Sequence, residues 1–197
     1  MSETKDVILA KAYRLFLEKG YDAVSISMIQ KEAEIGRATM YHYFNSKKDL
    51  FLATITKYMT TRAGGTDFGK FEGLLLSDYL KLDIQQAKAL LKHSGLPEHI
   101  GMLNHFILSF KAMEMDLGYA EIADKMHKQT LDIWEFIIQN SLRHGEIRQD
   151  IDIKKTAKLF MDARHGIGVS SMHGTTMLES ISAIEEMYKF VFALIKS

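Results

Sequence analysis

Apolar side chains along this chain return every three or four positions, the spacing that places one stripe on an α-helix. Ile8, Leu9, Ala12, Leu15 and Phe16 form the first stripe and Gly20 stops it, which predicts a helix over 4–19. Ile26, Ile29 and Ala33 predict a short second helix over 26–34, and Ser25 can cap it by accepting from a first-turn amide. Gly36 can cap a third, over 37–44, in which Met40, Tyr43 and Phe44 plug a three-helix core. Asn45 and Ser46 open a fourth, over 47–62, striped by Leu50, Phe51, Ile55 and Met59. The stretch R-A-G-G-T-D-F-G-K from Arg62 to Lys70 then holds three glycines in nine residues and reads as a loop or hinge. Beyond it the pattern predicts helices over 70–80, 83–93, 98–116, 119–144, 152–172 and 177–196. Their breaks fall at Leu82-Asp83, at 95–97, and at Gly118, Gly145 and Gly174. No alternating β-branched run and no Asn-Gly or Asp-Gly turn is present, so the expected fold is all-α.

Composition narrows the chemistry. Among 197 residues there are 25 basic and 25 acidic side chains and no cysteine, which excludes disulfides and thiolate metal sites. The start M-S-E-T-K-D is not a signal sequence, no apolar run approaches membrane length, and a cytoplasmic protein with no membrane partner is expected. Residues 1–62 carry ten basic against seven acidic side chains, a surplus of three. Any affinity for nucleic acid would then rest on placed contacts and dimerisation over a modest electrostatic background.

The stretch from Lys31 to Leu50, K-E-A-E-I-G-R-A-T-M-Y-H-Y-F-N-S-K-K-D-L, reads as a helix, a tight turn, a short second helix and the start of a third. Its short helix crowds one Arg, one Thr, two Tyr and one His into about two turns, and these types can reach phosphates and base edges. The same eight residues also suit a capped amphipathic helix ending in an aromatic plug. Taken with Ile8, Leu9, Ala12, Leu15, Phe16, Gly20, Tyr21, Ser25, Ile26 and Ile29 upstream, the run Y-H-Y-F-N-S-K-K-D-L resembles the amino-terminal domain of TetR-family transcriptional repressors. The resemblance covers about the first fifty residues strongly and the rest as a helical pattern. It implies a helix-turn-helix DNA-binding domain over 1–48 and a helical ligand-binding and dimerisation domain over 49–197. It also implies DNA contacts from Ser25, Arg37, Ala38, Thr39, Tyr41, His42 and the phosphate-binding Lys47. Arg37 is the leading candidate for base reading, where one bidentate pair to guanine is worth roughly 1–3 kcal/mol of discrimination. Two positions depart from the pattern: Glu34 stands where the turn usually has Gly, and Gln30 where a small Ala is usual. Glu34 is therefore expected to take a left-handed conformation at a cost of roughly 1 kcal/mol, and with Glu32 it places acid near the DNA face.

The last two helices are apolar on wide arcs, and the phrase H-G-E-I-R-Q-D-I-D resembles the opening of the family's dimerisation helices. A two-fold four-helix bundle is expected, with Met161, Arg164, His165, Gly168, Ile181, Ile184, Tyr188 and Val191 at the interface; the other reading of these stripes is internal core. The middle helices are expected to enclose a small-molecule effector, and their inward candidates are Phe71, Tyr79, Met102, His105, Phe106, Met113, Met126, Trp134 and Phe160. His105 and Trp134 are the polar handles among them, unless an internal hydrogen bond satisfies each.

Histidines 93, 99 and 105, and the set Asp162, His165 and His173, are the clusters with any hint of metal or acid–base chemistry. With no H-E-x-x-H, no G-x-S-x-G elbow and no Gly-rich phosphate loop, neither a metal, a cofactor nor an enzymatic activity is expected. The expected protein is a homodimeric repressor of a palindromic operator, released by a small, largely apolar effector of unknown identity. The alternatives are a helical sensor without effective DNA binding, suggested by Glu34, Gln30 and the low charge, and an enzyme built on His105 or Asp162-His165.

Overall fold

The structure, a computed structural model, describes residues 3–60, 68–94, 96, 100–115, 118–170 and 174–197. Among them run nine α-helices: α1 (Glu3–Ala23), α2 (Ile26–Glu32), α3 (Arg37–Tyr43), α4 (Lys47–Thr60), α5 (Leu76–Ser94), α6 (Met102–Glu114), α7 (Tyr119–Arg143), α8 (Ile153–Ser170) and α9 (Met177–Ile195). A 3-10 turn, Phe68–Phe71, precedes α5, and an isolated antiparallel bridge joins Ile147 to Lys196. The fold is all-α, and no described helix is long and apolar enough to cross a membrane. Most of the glycine-rich stretch, the break at 95 and 97, His99, Ser171, His173 and the side chains of Met59 and His93 lie outside the described residues.

Packing divides the chain into two units, Met1–Arg62 with Asn104–Met126, and Ala63–Leu103 with His127–Ser197. Within the first unit α4 buries its apolar face against α1.

In the first unit the predicted stripe of α1 is inward: Ile8, Ala12 and Phe16 are fully buried with Ile29, Met40, Leu50, Phe51 and Ile55. Phe16 meets Phe51 edge-on at 5.0 Å, and Tyr21 closes over Phe51 at 4.6 Å. Each such side chain contributes about 1.5–3 kcal/mol of burial. Gly20, at φ 77°, breaks α1 where expected, and Tyr21–Ala23 add a final turn after the kink. Residues of α6 pack on α1: Asn104 Nδ2 donates to the Leu17 carbonyl at 3.1 Å, and Lys111 reaches Asp22 at 3.2 Å. His105 Nδ1 lies 2.5 Å from the Tyr13 hydroxyl, and the Tyr13 ring stacks on Tyr58 at 4.2 Å.

The second unit is built on α9, whose Ile181, Ile184, Tyr188, Val191 and Ile195 are buried together with Leu76, Trp134, Ile137, Ile138, Ala157, Phe160 and Met161. Thr176 and Glu179 form a reciprocal capping box at its start. The amino end of α5 is satisfied from far along the chain. The Leu76 amide donates to Ser141 Oγ at 2.6 Å and to Glu146 Oε2 at 2.9 Å. Two expectations are corrected here. One helix replaces the two predicted over 70–80 and 83–93: α5 passes unbroken through Leu82 and Asp83, because the Asp83 carboxylate, rather than capping a new helix, accepts from Arg164 and Tyr188.

The second correction concerns the expected interface. Met161, Gly168, Ile181, Ile184, Tyr188 and Val191 are buried by this chain's own packing, and Arg164 is ion-paired to Asp83, so none of these side chains faces outward. Of the expected set only His165 is exposed. The arcs of α8 and α9 are wide enough to serve the core and still leave Leu159, Val169, Leu178, Phe190 and Leu194 in solvent.

Candidate nucleic-acid interface

The site is built from the end of α1, α2, the turn, α3 and the start of α4, all within the first unit. Ser25 adopts an extended conformation and its Oγ accepts from the Met28 amide at 3.2 Å, the capping role its position predicts. Its hydroxyl also lies 2.8 Å from Ser27 Oγ. After α2 the chain turns through Glu34 at φ 53°, the one non-glycine with positive φ among the described residues. The left-handed conformation closes the turn by letting the Ile35 amide reach the Gln30 carbonyl at 3.1 Å. A side chain with a Cβ holds it at a cost of about 1–2 kcal/mol. The other departure is also frustrated: Gln30 Nε2 is buried and finds no hydrogen-bond partner among the described residues.

Gly36 enters α3 in an extended conformation and its carbonyl accepts from Met40. Met40 and Phe44, one turn apart, are buried and pin the helix to the core. The residues between them are thereby sorted: Arg37, Ala38, Tyr41 and His42 are exposed on the outer side, while Thr39 and Tyr43 are half-buried. Tyr43, expected in the core, is half-buried, with its ring 4.8 Å from that of His42 and 6.4 Å from that of Phe44. On the outer face the Arg37 guanidinium lies over the Tyr41 ring, 5.6 Å from its centroid. Glu32, the last residue of α2, is partly offset by Lys11 at 3.9 Å.

Lys47 opens α4 and is half-buried. Its ammonium sits 4.1 Å from the centroid of Tyr21 and donates to the Asp22 carbonyl at 3.4 Å. Burial holds its pKa below the ordinary lysine range, Lys111 pushes the same way, and Asp22 opposes them. Sequence reasoning named Lys47 without these neighbours; the Gly20-Tyr21 pair that ends the first stripe was the signal available for them.

The residues expected to line an effector site fall into both units. In the second, Tyr79 meets Trp134 edge-on at 4.9 Å, Trp134 stacks on Phe160 at 5.1 Å, and Phe71 approaches Tyr79 at 6.0 Å. Trp134 and Phe160 are fully enclosed, whereas Phe71, Tyr79 and Met102 are half-buried at the edge of the cluster. Beside them is a charged network that periodicity assigned to another surface: Arg164 pairs with Asp83 at 2.5 Å, and the Tyr188 hydroxyl donates to the same carboxylate at 2.9 Å. Burial opposes the Arg164 charge, and Tyr188 and Asp83 outweigh it, so its pKa moves up. Burial, countered only in part by Arg164, also pushes the Tyr188 hydroxyl up, and it stays protonated as a donor. In the first unit lie His105, already bonded to Tyr13, half-buried Phe106 and Met126, and exposed Met113. Asp162 is engaged by Lys158 at 2.5 Å, and His165 lies 6.5 Å from His127. Among the described residues no three metal-ligating side chains converge.

A short helix pinned by two buried anchors, with Arg, Tyr and His on its solvent face, has the form of a groove-reading element. Comparison with known proteins agrees. The model of the family described as bacterial regulatory proteins, tetR family, matches residues 8–54. The chain is 27% identical to the HTH-type transcriptional regulator UidR of Escherichia coli (strain K12) over 83% of this chain and 79% of that protein. Over 47 residues, 24% of this chain and 25% of the other, it is 43% identical to the biofilm operon icaADBC HTH-type negative transcriptional regulator IcaR of Staphylococcus aureus (strain Newman). In fold it is similar to a transcriptional regulator, TetR family, from Agrobacterium tumefaciens, with a TM-score of 0.69 at 18% identity and 98% of each chain covered.

Proposed function

We propose that the chain is a TetR-family transcriptional regulator and not an enzyme, a repressor that binds a palindromic operator as a homodimer and is released by a small, largely apolar effector; the family model over residues 8–54 and the resemblance to the Escherichia coli regulator support this reading. The observation that carries this reading is the outer face of α3, where Arg37, Ala38, Tyr41 and His42 stand exposed on a helix fixed from behind by Met40 and Phe44. Arg37 reads a base edge, Tyr41 and His42 with Thr39 contact phosphate or base edges, and Ser25 and Lys47 contact backbone phosphates. To reach phosphate, Lys47 exchanges its carbonyl contact with Asp22 for the stronger charge. Repression accords with the relative from Staphylococcus aureus, which is named a negative regulator. A partner of this kind places the protein in the compartment that holds the chromosome, the cytoplasm of a bacterium.

Two heads on a two-fold operator require a dimer, with half-sites about 34 Å or a multiple apart. The solvent-facing apolar side chains of α8 and α9, Leu159, Val169, Leu178, Phe190 and Leu194, replace the earlier interface set as its contacts. The effector binds the helical body, with Phe71, Tyr79 and Met102 as its contacts, since these are the half-buried members of the expected set against the aromatic cluster. Release needs a ligand that prefers one state: shifting a 1:99 balance to 99:1 takes about 5.5 kcal/mol of differential binding.

The test is selection of bound DNA from a random duplex pool at two salt concentrations. The expected product is a palindrome whose affinity falls steeply with salt. In the same experiment Arg37→Ala should cost about 1–3 kcal/mol and erase preference at one pair per half-site. The strained Glu34 and the unpartnered Gln30 amide favour a second reading, a helical sensor with little DNA affinity. Absence of any enrichment at low salt would decide for it.

A further inference from the structure

We propose that Tyr41 is a positioning residue for Arg37: its ring holds the guanidinium in the pose from which it reads its base pair. The inference rests on the DNA-reading role proposed above and adds a division of labour within it. Arg37 and Tyr41 are four residues apart on α3 and therefore neighbours on one face. The guanidinium carbon lies 5.6 Å from the ring centroid, within the range of cation–π attraction. Among the described residues no carboxylate pairs with Arg37, so the ring is what orients it. A long exposed side chain loses rotamer freedom when it is fixed on a partner, and a planar platform removes part of that loss beforehand. Arginine, with its flat and weakly hydrated head, is the side chain suited to such stacking.

Tyr41 can serve in this way because it has no other structural duty. It is 44% exposed, while Met40 and Phe44 fill the core below. Its ring and its hydroxyl could each contribute to DNA binding, and the two contributions are separable. A platform needs the π face and not the hydroxyl; a phosphate contact needs the hydroxyl and not the π face.

The experiment is the duplex selection repeated with Arg37→Ala, Tyr41→Phe, Tyr41→Leu, Tyr41→Ala and the double variant Arg37→Ala/Tyr41→Ala. Far-UV circular dichroism and thermal midpoints verify that each is folded. The pair whose preference Arg37→Ala abolishes should lose about two- to fivefold of its preference in Tyr41→Ala and Tyr41→Leu, with the other positions unchanged. Tyr41→Phe should retain the full preference. At that pair the double variant should match Arg37→Ala alone, the non-additivity of two residues acting as one. A common loss for every sequence in Tyr41→Ala, with the preference pattern intact, would overturn the proposal, as would a Tyr41→Phe variant that loses as much as Tyr41→Ala. A wild-type protein that enriches no sequence at all would instead overturn the DNA-reading role itself.

Discussion

Two arginines of this chain keep company with a tyrosine, in opposite surroundings. Arg164 of α8 is half-buried, its charge met by Asp83 and by Tyr188 within one network. Arg37 of α3 is exposed, with an aromatic ring beneath it and no carboxylate among the described residues. The half-buried arginine has committed its Nη1 group to Asp83 and Tyr188 of its own chain, where its charge stabilises the fold. The exposed one keeps its fork of donors for a partner, and the ring limits where that fork points. What a residue type means for function is therefore set by whether its hydrogen-bonding capacity is already satisfied.

The largest effect should come from breaking the buried network. Asp83→Ala leaves Arg164 as an uncompensated buried charge and should cost about 3–5 kcal/mol. Arg37→Ala should change stability by less than about 0.5 kcal/mol; thermal unfolding of the two variants side by side measures the contrast. A comparable loss from both would erase the distinction. Next are two substitutions on α9. Tyr188→Glu forces a carboxylate into the aromatic core and should unfold the chain, whereas Phe190→Glu, at a position 66% exposed, should leave a folded protein of half the sedimentation mass. An unaltered mass for Phe190→Glu would move the interface off this face. A smaller effect, of opposite sign, is expected from Glu34→Gly, which should stabilise by about 1 kcal/mol by removing left-handed strain; a lowered unfolding midpoint would refute this. The smallest lies at the surface cluster of Lys88, Glu185 and Lys189. Hydrogen bonds from Lys189 and then Lys88 bring the Glu185 pKa down to about 2. Because its folded pKa is depressed, its contribution is present above the ordinary carboxylate range and is lost as pH falls toward about 2. Glu185→Gln should therefore lower the thermal midpoint slightly at neutral pH and not at all in strong acid.

The helices of the first fifty residues were legible because each carries its own local signals: a stripe, a cap at Ser25, and glycines at 20 and 36. The left-handed turn at Glu34 was expected from the family resemblance, in which glycine usually stands at that position, and Glu34 has φ 53°. What could not be read depends on partners remote in sequence. Asp83 looked like a helix start because Arg164 is 81 residues away. His105 looked like a handle for a ligand because Tyr13 is 92 residues away. The arcs of α8 and α9 were correctly seen as wide, yet periodicity alone does not say which half of an arc the chain covers itself. That ambiguity placed Tyr188 and Ile184 on the wrong side. Of the set that the family resemblance implied, Arg37, Ala38, Tyr41 and His42 are exposed on α3, while the seat of Lys47 on Tyr21 needed the end of α1 in place.

The turn at Glu34 has a consequence for how this protein can change. Both glutamate codons become glycine codons by one A-to-G transition at the second base, so the relaxed turn is a single mutational step away. A random library screened for folding at raised temperature should return that substitution early and repeatedly, because strain of about 1–2 kcal/mol is relieved without altering any residue on the outer face of α3. The turn thus acts as a setting that one base can shift.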